Sequence, residues 1–183
     1  MKLIKFFLLI LLSFNILVKA NSNDKLQTEL KKGGKLLFIR HAIAPGGGDP
    51  VDFDILRCET QRNLSKDGIV QSQNIGKFFS DNNIKIDKVL SSEWCRCKQT
   101  AKFAFNNYET KSFLNSFFSP KFANNKNKQI NDLKKYINEW SSDKNLVLVT
   151  HYVIIQEVLN ITPSSGEIII SDKDFNVLAR QNF

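Results

Sequence analysis

The sequence Leu36-Leu37-Phe38-Ile39-Arg40-His41 is a short apolar run that ends on two polar, reactive residues. A second run, Leu146-Val147-Leu148-Val149-Thr150-His151, ends in a similar way. Such runs are typical of buried parallel strands, and the carboxyl ends of these strands carry the functional groups of open α/β sheets. The two runs contain the only histidines of the 183-residue chain. We therefore predict that His41 and His151 meet at one edge of a sheet.

A third run, Ile86-Asp87-Lys88-Val89-Leu90-Ser91-Ser92, precedes Arg96 by a few residues. Three such strands would direct two histidines and two arginines, Arg40 and Arg96, toward one rim. A neutral imidazole can attack phosphorus, and guanidinium groups grip phosphoryl oxygens in pairs. These groups suffice for phosphoryl transfer, so we expect neither a metal ion nor any other cofactor.

Four short motifs follow one another between Lys35 and the C-terminus. They are Arg40-His41-Ala42, Leu64-Ser65-Lys66-Asp67-Gly68, Arg96-Cys97-Lys98-Gln99-Thr100-Ala101 and Thr150-His151. In this order they resemble the Arg-His-Gly, Leu-Thr-x-x-Gly, Arg-x-x-Gln-Thr-Ala and Gly-His motifs of the histidine phosphatase superfamily, which has the phosphoglycerate-mutase-like fold.

The resemblance implies an α/β fold, a three-layer α/β/α sandwich with a mostly parallel central sheet. It also implies that His41 is the nucleophile that becomes phosphorylated, and that Arg40, Arg96 and His151 complete the phosphate pocket. Three strings resemble more narrowly a subgroup of exported bacterial histidine phosphatases: Cys58 to Leu64, Trp94 to Cys97 and Leu114 to Phe118.

These features predict a metal-independent phosphomonoesterase, a hydrolase that forms a phosphohistidine. Its partner would be a phosphorylated small molecule or an envelope glycan or lipid. A phosphohistidine protein phosphatase and a catalytically idle phosphate-binding protein are the alternatives. Nucleic acid is not an expected partner, because the lysines are scattered and form no basic stripe interleaved with aromatic residues. The sequence leaves the oligomeric state open.

The proton donor is harder to assign from the sequence. Glu93, at the end of the third run, is our first candidate and Glu167 our second, although Glu93 could instead cap a helix start. Arg62 and Asn63 precede another helix start, and we expect them to bind substrate, with capping as the alternative. The resemblance disfavours the acid phosphatase branch, because Tyr152 rather than Asp follows His151.

The N-terminus predicts export. Residues 1–20 combine a basic start, an apolar stretch and a Val18-Lys19-Ala20 cleavage site, as in a signal peptide. Residues 21–183 then form a single histidine phosphatase domain, periplasmic or secreted, without a stable membrane anchor after cleavage. In an oxidising compartment we expect one disulfide that joins Cys58 to either Cys95 or Cys97.

Periodicity and turn residues outline the remaining elements. The long loop of residues 42–63 is expected to be functional. We expect Val70 and Phe103 to face the core, and residues 121–128 to form a solvated loop. The expected helices are Asp24–Lys32, Ser65–Ser80, Trp94–Asn106, Gln129–Trp140 and Tyr152–Leu159, and the last two strands, Glu167–Ser171 and Asn176–Arg180, are expected to form an edge pair.

Overall fold

The computed structural model describes residues 26–183, so the predicted signal peptide lies outside the described residues. Six strands form one sheet: β1 (Leu36–Arg40), β2 (Ile86–Ser91), β3 (Glu109–Thr110), β4 (Asn145–Thr150), β5 (Ile168–Ser171) and β6 (Val177–Gln181). The helices are α1 (described over residues 26–32), α2 (Lys66–Asp81), α3 (Cys95–Phe105), α4 (Lys126–Glu139) and α5 (Tyr152–Leu159).

The strand order is β3-β2-β4-β1-β5-β6. The first four strands are parallel to one another, whereas β5 runs antiparallel to β1 and β6 antiparallel to β5. All six residues of β4 are buried, as expected for a central strand covered on both faces. The prediction of a mostly parallel sheet is confirmed.

Alternate residues of the central strands enter two separate cores, because successive side chains of a strand point to opposite faces. On one face, Leu37 and Val147 pack with residues of α1, α2 and α3. On the other, Phe38 and Leu148 pack with residues of α4 and α5. The predicted three-layer sandwich is therefore confirmed.

Helix α2 begins as the sequence predicts, because the Ser65 hydroxyl accepts a hydrogen bond from the Gly68 amide and so caps the helix. Two inward-facing side chains were wrongly predicted. Val70 is 53% exposed and Phe103 is 41% exposed, so each lies on the outer side of its helix. No helix within residues 26–183 is long and apolar enough to span a membrane.

Two further predictions about the chain path were wrong. Residues 121–128 are not an irregular loop, because a 3-10 helix (Pro120–Asn125) leads directly into α4. Strand β5 is not at an edge: it lies between β1 and β6, and all four of its residues are buried. Only β6 is an edge strand at this end of the sheet. The apolar run of β5 fits this interior position.

Gly68 makes a close backbone contact that places the segment after His41. A Cβ atom at this position would lie 2.1 Å from the Ile43 carbonyl oxygen. We predict that Gly68→Ala lowers the free energy of unfolding in urea by about 1–3 kcal/mol, because this clash outweighs the gain in helix propensity of about 1 kcal/mol. Gly47→Ala, with open space around it, is the control and should change stability little. Equal stability of the two variants would contradict this prediction.

Candidate active site

The predicted phosphate-site residues lie together. His41, His151, Arg40 and Arg96 line one cavity of about 270 Å³, and Arg62 lines it with them. The rest of the wall includes Gly46 to Gly48, Asp49, Ser116, Phe118 and Tyr152. The larger cavities elsewhere on the surface lack histidine and arginine pairs of this kind among their described lining residues. This cavity is the candidate active site.

The pairing of β1 with β4 brings the two histidines together. Arg40 is in register with Thr150, and the amide of His41 donates to the Thr150 carbonyl at 2.9 Å. The residue after each strand is therefore held at the same level of the sheet. The centroids of the His41 and His151 rings are 5.5 Å apart, with the rings close to perpendicular.

The His41 imidazole is neutral. Its Nδ1 lies 2.9 Å from the carbonyl oxygen of Ala42, which can only accept, so we assign the proton to Nδ1 and the lone pair to Nε2. Burial, aided by the positive charge of Arg96, lowers the pKa of His41 to about 3. The imidazole is thus uncharged at neutral pH, as attack on phosphorus requires.

Arg96 lies at the centre of the cavity, and its three nitrogens contact three different side chains. Nε donates to His41 Nε2 at 3.2 Å, Nη1 donates to Asp49 Oδ1 at 2.5 Å, and Nη2 lies 3.4 Å from His151 Nδ1. Since a guanidinium carries five N–H bonds, Nη1 and Nη2 each keep one more donor for a ligand. Helix α3 positions Arg96, because the helix begins directly after β2.

Two further guanidinium groups keep buried donors unused. Arg40 donates through Nη1 to the Pro163 carbonyl, and Arg62 donates to the carbonyls of Ala44 and Gly48. Among the described residues, the Nε atoms of both arginines are buried without a hydrogen-bond partner. Burial mainly, and then the charge of Arg96, lowers the pKa of each guanidinium. Three cations that converge in this way favour an anionic ligand.

His151 belongs to a chain of hydrogen bonds that leads away from the cavity. Burial, followed by the charge of Arg96, lowers its pKa well below the usual value. Its Nε2 lies 2.9 Å from the Ser92 hydroxyl, which lies 3.0 Å from Asn115 Oδ1. Asn115 in turn donates to the Glu93 carboxylate at 2.6 Å. This chain fixes the orientation of the His151 ring.

Three sequence candidates lie outside the cavity wall. Glu93 accepts from Asn115 and makes no capping hydrogen bond to α3. Glu167 is 1% exposed, and its carboxylate accepts from the Ser164 amide and from Arg180. Asn63 contacts the backbone of Cys58 and Gln61 and the side chain of Gln99. The side chains of all three connect neighbouring segments of the fold.

Sequence reasoning missed Asp49, Phe118 and Tyr152, which line the cavity. Asp49 lies in the predicted functional loop, and its position after three glycines was the available signal. The centroids of the Phe118 and Tyr152 rings are 5.8 Å apart. The guanidinium carbon of Arg40 lies 5.6 Å from the centroid of the Tyr152 ring, over its face. The cavity therefore combines a cationic floor with an aromatic side.

The disulfide joins Cys58 to Cys95. This confirms the predicted use of Cys58 and selects Cys95 over Cys97 as its partner. Cys97 is free and buried, and burial raises the pKa of its thiol to about 12, so it is an inert core residue. The bridge ties the long loop to the first residue of α3, next to Arg96.

Among residues 26–183, no group of three or more His, Cys, Asp or Glu side chains is arranged to hold a metal ion. The cationic groups that line the cavity are guanidiniums, which offer donors and no lone pairs for a metal. The donor set therefore fits an anion.

No family model matches the sequence, and no match to a curated protein was found. The structure, however, resembles solved structures. The protein histidine phosphatase SixA complexed with tungstate superposes with a TM-score of 0.56 at 16% identity, over 81% of this chain and 96% of that chain. The chain has the histidine phosphatase fold. TTHB049 from Thermus thermophilus superposes with a TM-score of 0.58 at 14% identity, over 81% of this chain and 99% of that chain. The Rv3214 product of Mycobacterium tuberculosis superposes with a TM-score of 0.56 at 16% identity, over 81% of this chain and 95% of that chain.

The buried, neutral state of His41 makes stability depend on pH. The unfolded chain binds a proton at this histidine below its ordinary pKa of 6.5, whereas the folded protein does so only near pH 3. Stability therefore falls as the pH drops from 6.5 toward 3. We predict that wild type loses about 2 kcal/mol more unfolding free energy than His41→Gln between about pH 7 and about pH 5 in urea. Parallel losses in the two proteins would show that His41 is protonated in the folded state.

The Cys58–Cys95 bridge closes a long segment of chain, with a sequence separation of 37 residues. Chain-entropy estimates for a loop of this size predict that a reductant lowers the unfolding free energy by about 4 kcal/mol. Cys97→Ala should keep this response to reductant, and Cys58→Ala should abolish it. Peptide mapping without reduction should recover residues 58 and 95 in one linked pair. A response to reductant in Cys58→Ala would contradict the assignment.

Proposed function

We propose that this protein is a phosphomonoesterase that works through a phosphohistidine on His41 and needs no metal ion. The observation that carries the proposal is the neutral His41 imidazole, with its Nε2 lone pair in a cavity lined by three guanidiniums. The same cavity supplies a nucleophile for phosphorus and the positive charge that phosphoryl transfer requires. The histidine phosphatase fold supports this function.

The arginines would bind the phosphoryl group before attack. The remaining N–H donors of Arg96, together with the guanidinium groups of Arg40 and Arg62 that line the cavity, can hold its oxygens. The Arg96 Nε–H that now donates to His41 Nε2 would turn to a phosphoryl oxygen, which releases the nucleophile's lone pair. Water then hydrolyses the phosphohistidine and regenerates the imidazole.

His151 would stabilise the charge that develops on the phosphoryl oxygens. Its Nδ1 lies beside Arg96, while its Nε2 contacts the Ser92 hydroxyl. A hydroxyl can donate or accept, so rotation of the Ser92 O–H allows His151 to carry its proton on Nδ1, toward the phosphate. This tautomer change adds no positive charge to a cavity that already holds three cations.

A phosphohistidine protein phosphatase is the second candidate, and the likeness to the protein histidine phosphatase SixA favours it. The imidazole of a phosphohistidine is a better leaving group than an alkoxide and needs less help from an acid. The two activities would use the same His41 chemistry and differ in the substrate.

We also propose that the protein is exported. The signal-like residues 1–20 support this location. The Cys58–Cys95 disulfide supports it independently, because disulfides persist mainly in oxidising compartments such as the periplasm.

The decisive experiment measures hydrolysis of p-nitrophenyl phosphate in buffer that contains EDTA. We predict that wild type turns the substrate over and that His41→Ala does not, while thermal unfolding shows that the variant is folded. Acid quench with ³²P-labelled substrate should trap label on the peptide that contains His41. His151→Ala should still form this phosphoenzyme, with kcat about 10²–10³-fold lower, as for loss of one charge-stabilising donor.

Turnover by His41→Ala would rule out the covalent mechanism, and loss of wild-type turnover in EDTA would rule out metal independence. Phosphate binding without any turnover in wild type would identify an idle phosphate-binding protein. A kcat/KM at least about tenfold higher on a phosphohistidine-containing protein than on alkyl phosphates, about 1.4 kcal/mol of transition-state binding, would favour the protein phosphatase.

A further inference from the structure

Asp49 is the only carboxylate among the described residues that line the active-site cavity. The two glutamates that the sequence suggested as proton donors lie elsewhere, each held by other partners. Asp49 comes from the long loop after β1, and its side chain is 11% exposed. The loop therefore supplies the kind of group that hydrolysis of an alkyl phosphate needs.

Buried partners hold the two carboxylate oxygens of Asp49 separately. Oδ2 accepts from the Trp94 indole N–H at 2.9 Å, and Oδ1 accepts from Arg96 at 2.5 Å. Trp94 is 2% exposed. Its ring stacks on that of Phe53, which lies in the same loop as Asp49, with the ring centroids 5.0 Å apart. Arg62 holds the preceding segment through the Gly48 carbonyl. These contacts hold the carboxylate in place within the cavity wall.

We propose that Asp49 donates the proton to the leaving oxygen of the substrate. The proposal rests on the phosphatase function proposed above. Arg96 contacts the nucleophile through Nε and Asp49 through Nη1, so a phosphoryl group bound to this guanidinium lies within reach of both. The phosphoryl oxygens compete with Oδ1 for Arg96, while Trp94 keeps Oδ2. Oδ1, released from Arg96, then faces the bound phosphoryl group and can carry the proton for the leaving oxygen.

In the proposed cycle, each proton and each bonding electron pair has a defined donor and acceptor. The substrate monoanion or the solvent supplies a proton to Asp49 Oδ1. His41 Nε2 forms a bond to phosphorus as the phosphorus–oxygen bond breaks, and the leaving oxygen takes the proton from Asp49. A water molecule next attacks phosphorus and gives a proton to Asp49. The nitrogen–phosphorus bond breaks, and its electron pair returns to Nε2. Phosphate then departs with the proton of Asp49, and the carboxylate pairs with Arg96 again.

The test compares two substrates whose leaving groups differ in their need for a proton. We expect Asp49→Asn to lower kcat/KM on glycerol 2-phosphate about 10²–10⁴-fold, the usual contribution of a positioned acid. With p-nitrophenyl phosphate, whose phenolate leaves without protonation, the loss should be below about tenfold.

Asp52→Asn is the matched control, since it makes the same acid-to-amide change at an exposed position of the same loop, outside the cavity wall. It should affect both substrates equally and little. An equal loss on both substrates in Asp49→Asn would show that the carboxylate only positions Arg96. A selective loss on glycerol 2-phosphate in Glu93→Gln would transfer the role to Glu93.

Acid-quench labelling separates this inference from the proposed function. Asp49→Asn should still form the His41 phosphoenzyme from p-nitrophenyl phosphate, and this supports Asp49 if glycerol 2-phosphate turnover is lost. If wild type itself gives no label on His41, the proposed function fails, and the Asp49 inference fails with it.

Discussion

The parallel pairing of β1 with β4, with Arg40 beside Thr150, is the constraint on which the site depends. It brings the two histidines to one level of the sheet, and the backbone bond from His41 to Thr150 holds them there. Strand β2 joins β4 on its other side, where the Ser92 amide donates to the Val149 carbonyl. A one-residue slip of β4 would turn its alternating side chains to the opposite layers and separate the histidines. Strand register thus determines both the core and the active site.

The cavity is electrostatically unfavourable to the folded protein until it binds an anion. Three guanidiniums and two imidazoles share it with a single carboxylate among the described lining residues. Burial and the charge of Arg96 keep both imidazoles neutral, which avoids two more positive charges. Any anion that binds this site in the folded state alone also stabilises the fold through mass action. A bound anion would therefore relieve the same repulsion that opposes folding.

Patterns confined to one segment predicted the fold well. The two histidine strands follow from their continuous apolar runs, and the Ser65 cap follows from its place before α2, so a few neighbouring residues determine both. The three-layer sandwich was predicted from the family resemblance. The errors arose where a distant segment decides the outcome. Val70 and Phe103 are apolar, yet within residues 26–183 both remain exposed on the surfaces of α2 and α3. Helix periodicity identifies a face but does not reveal which of two adjacent faces the fold buries.

The residues of the candidate active site show the same distinction between local sequence patterns and contacts with distant segments. His41, Arg96 and His151 follow strands or begin a helix, so their meeting could be predicted from the order of the elements. Asp49 is different, because its place depends on contacts with Trp94 and Arg96, 45 and 47 residues away. The apparent candidate Glu167 shows the converse, since its buried carboxylate is already paired with Arg180 and the Ser164 amide. A buried charge needs partners of its own. The partners of Glu167 lie outside the cavity wall, whereas Arg96, which holds Asp49, lines the cavity with it. Proximity to a strand end therefore identifies the proposed nucleophile, whereas tertiary contacts decide which carboxylate lies in the same cavity.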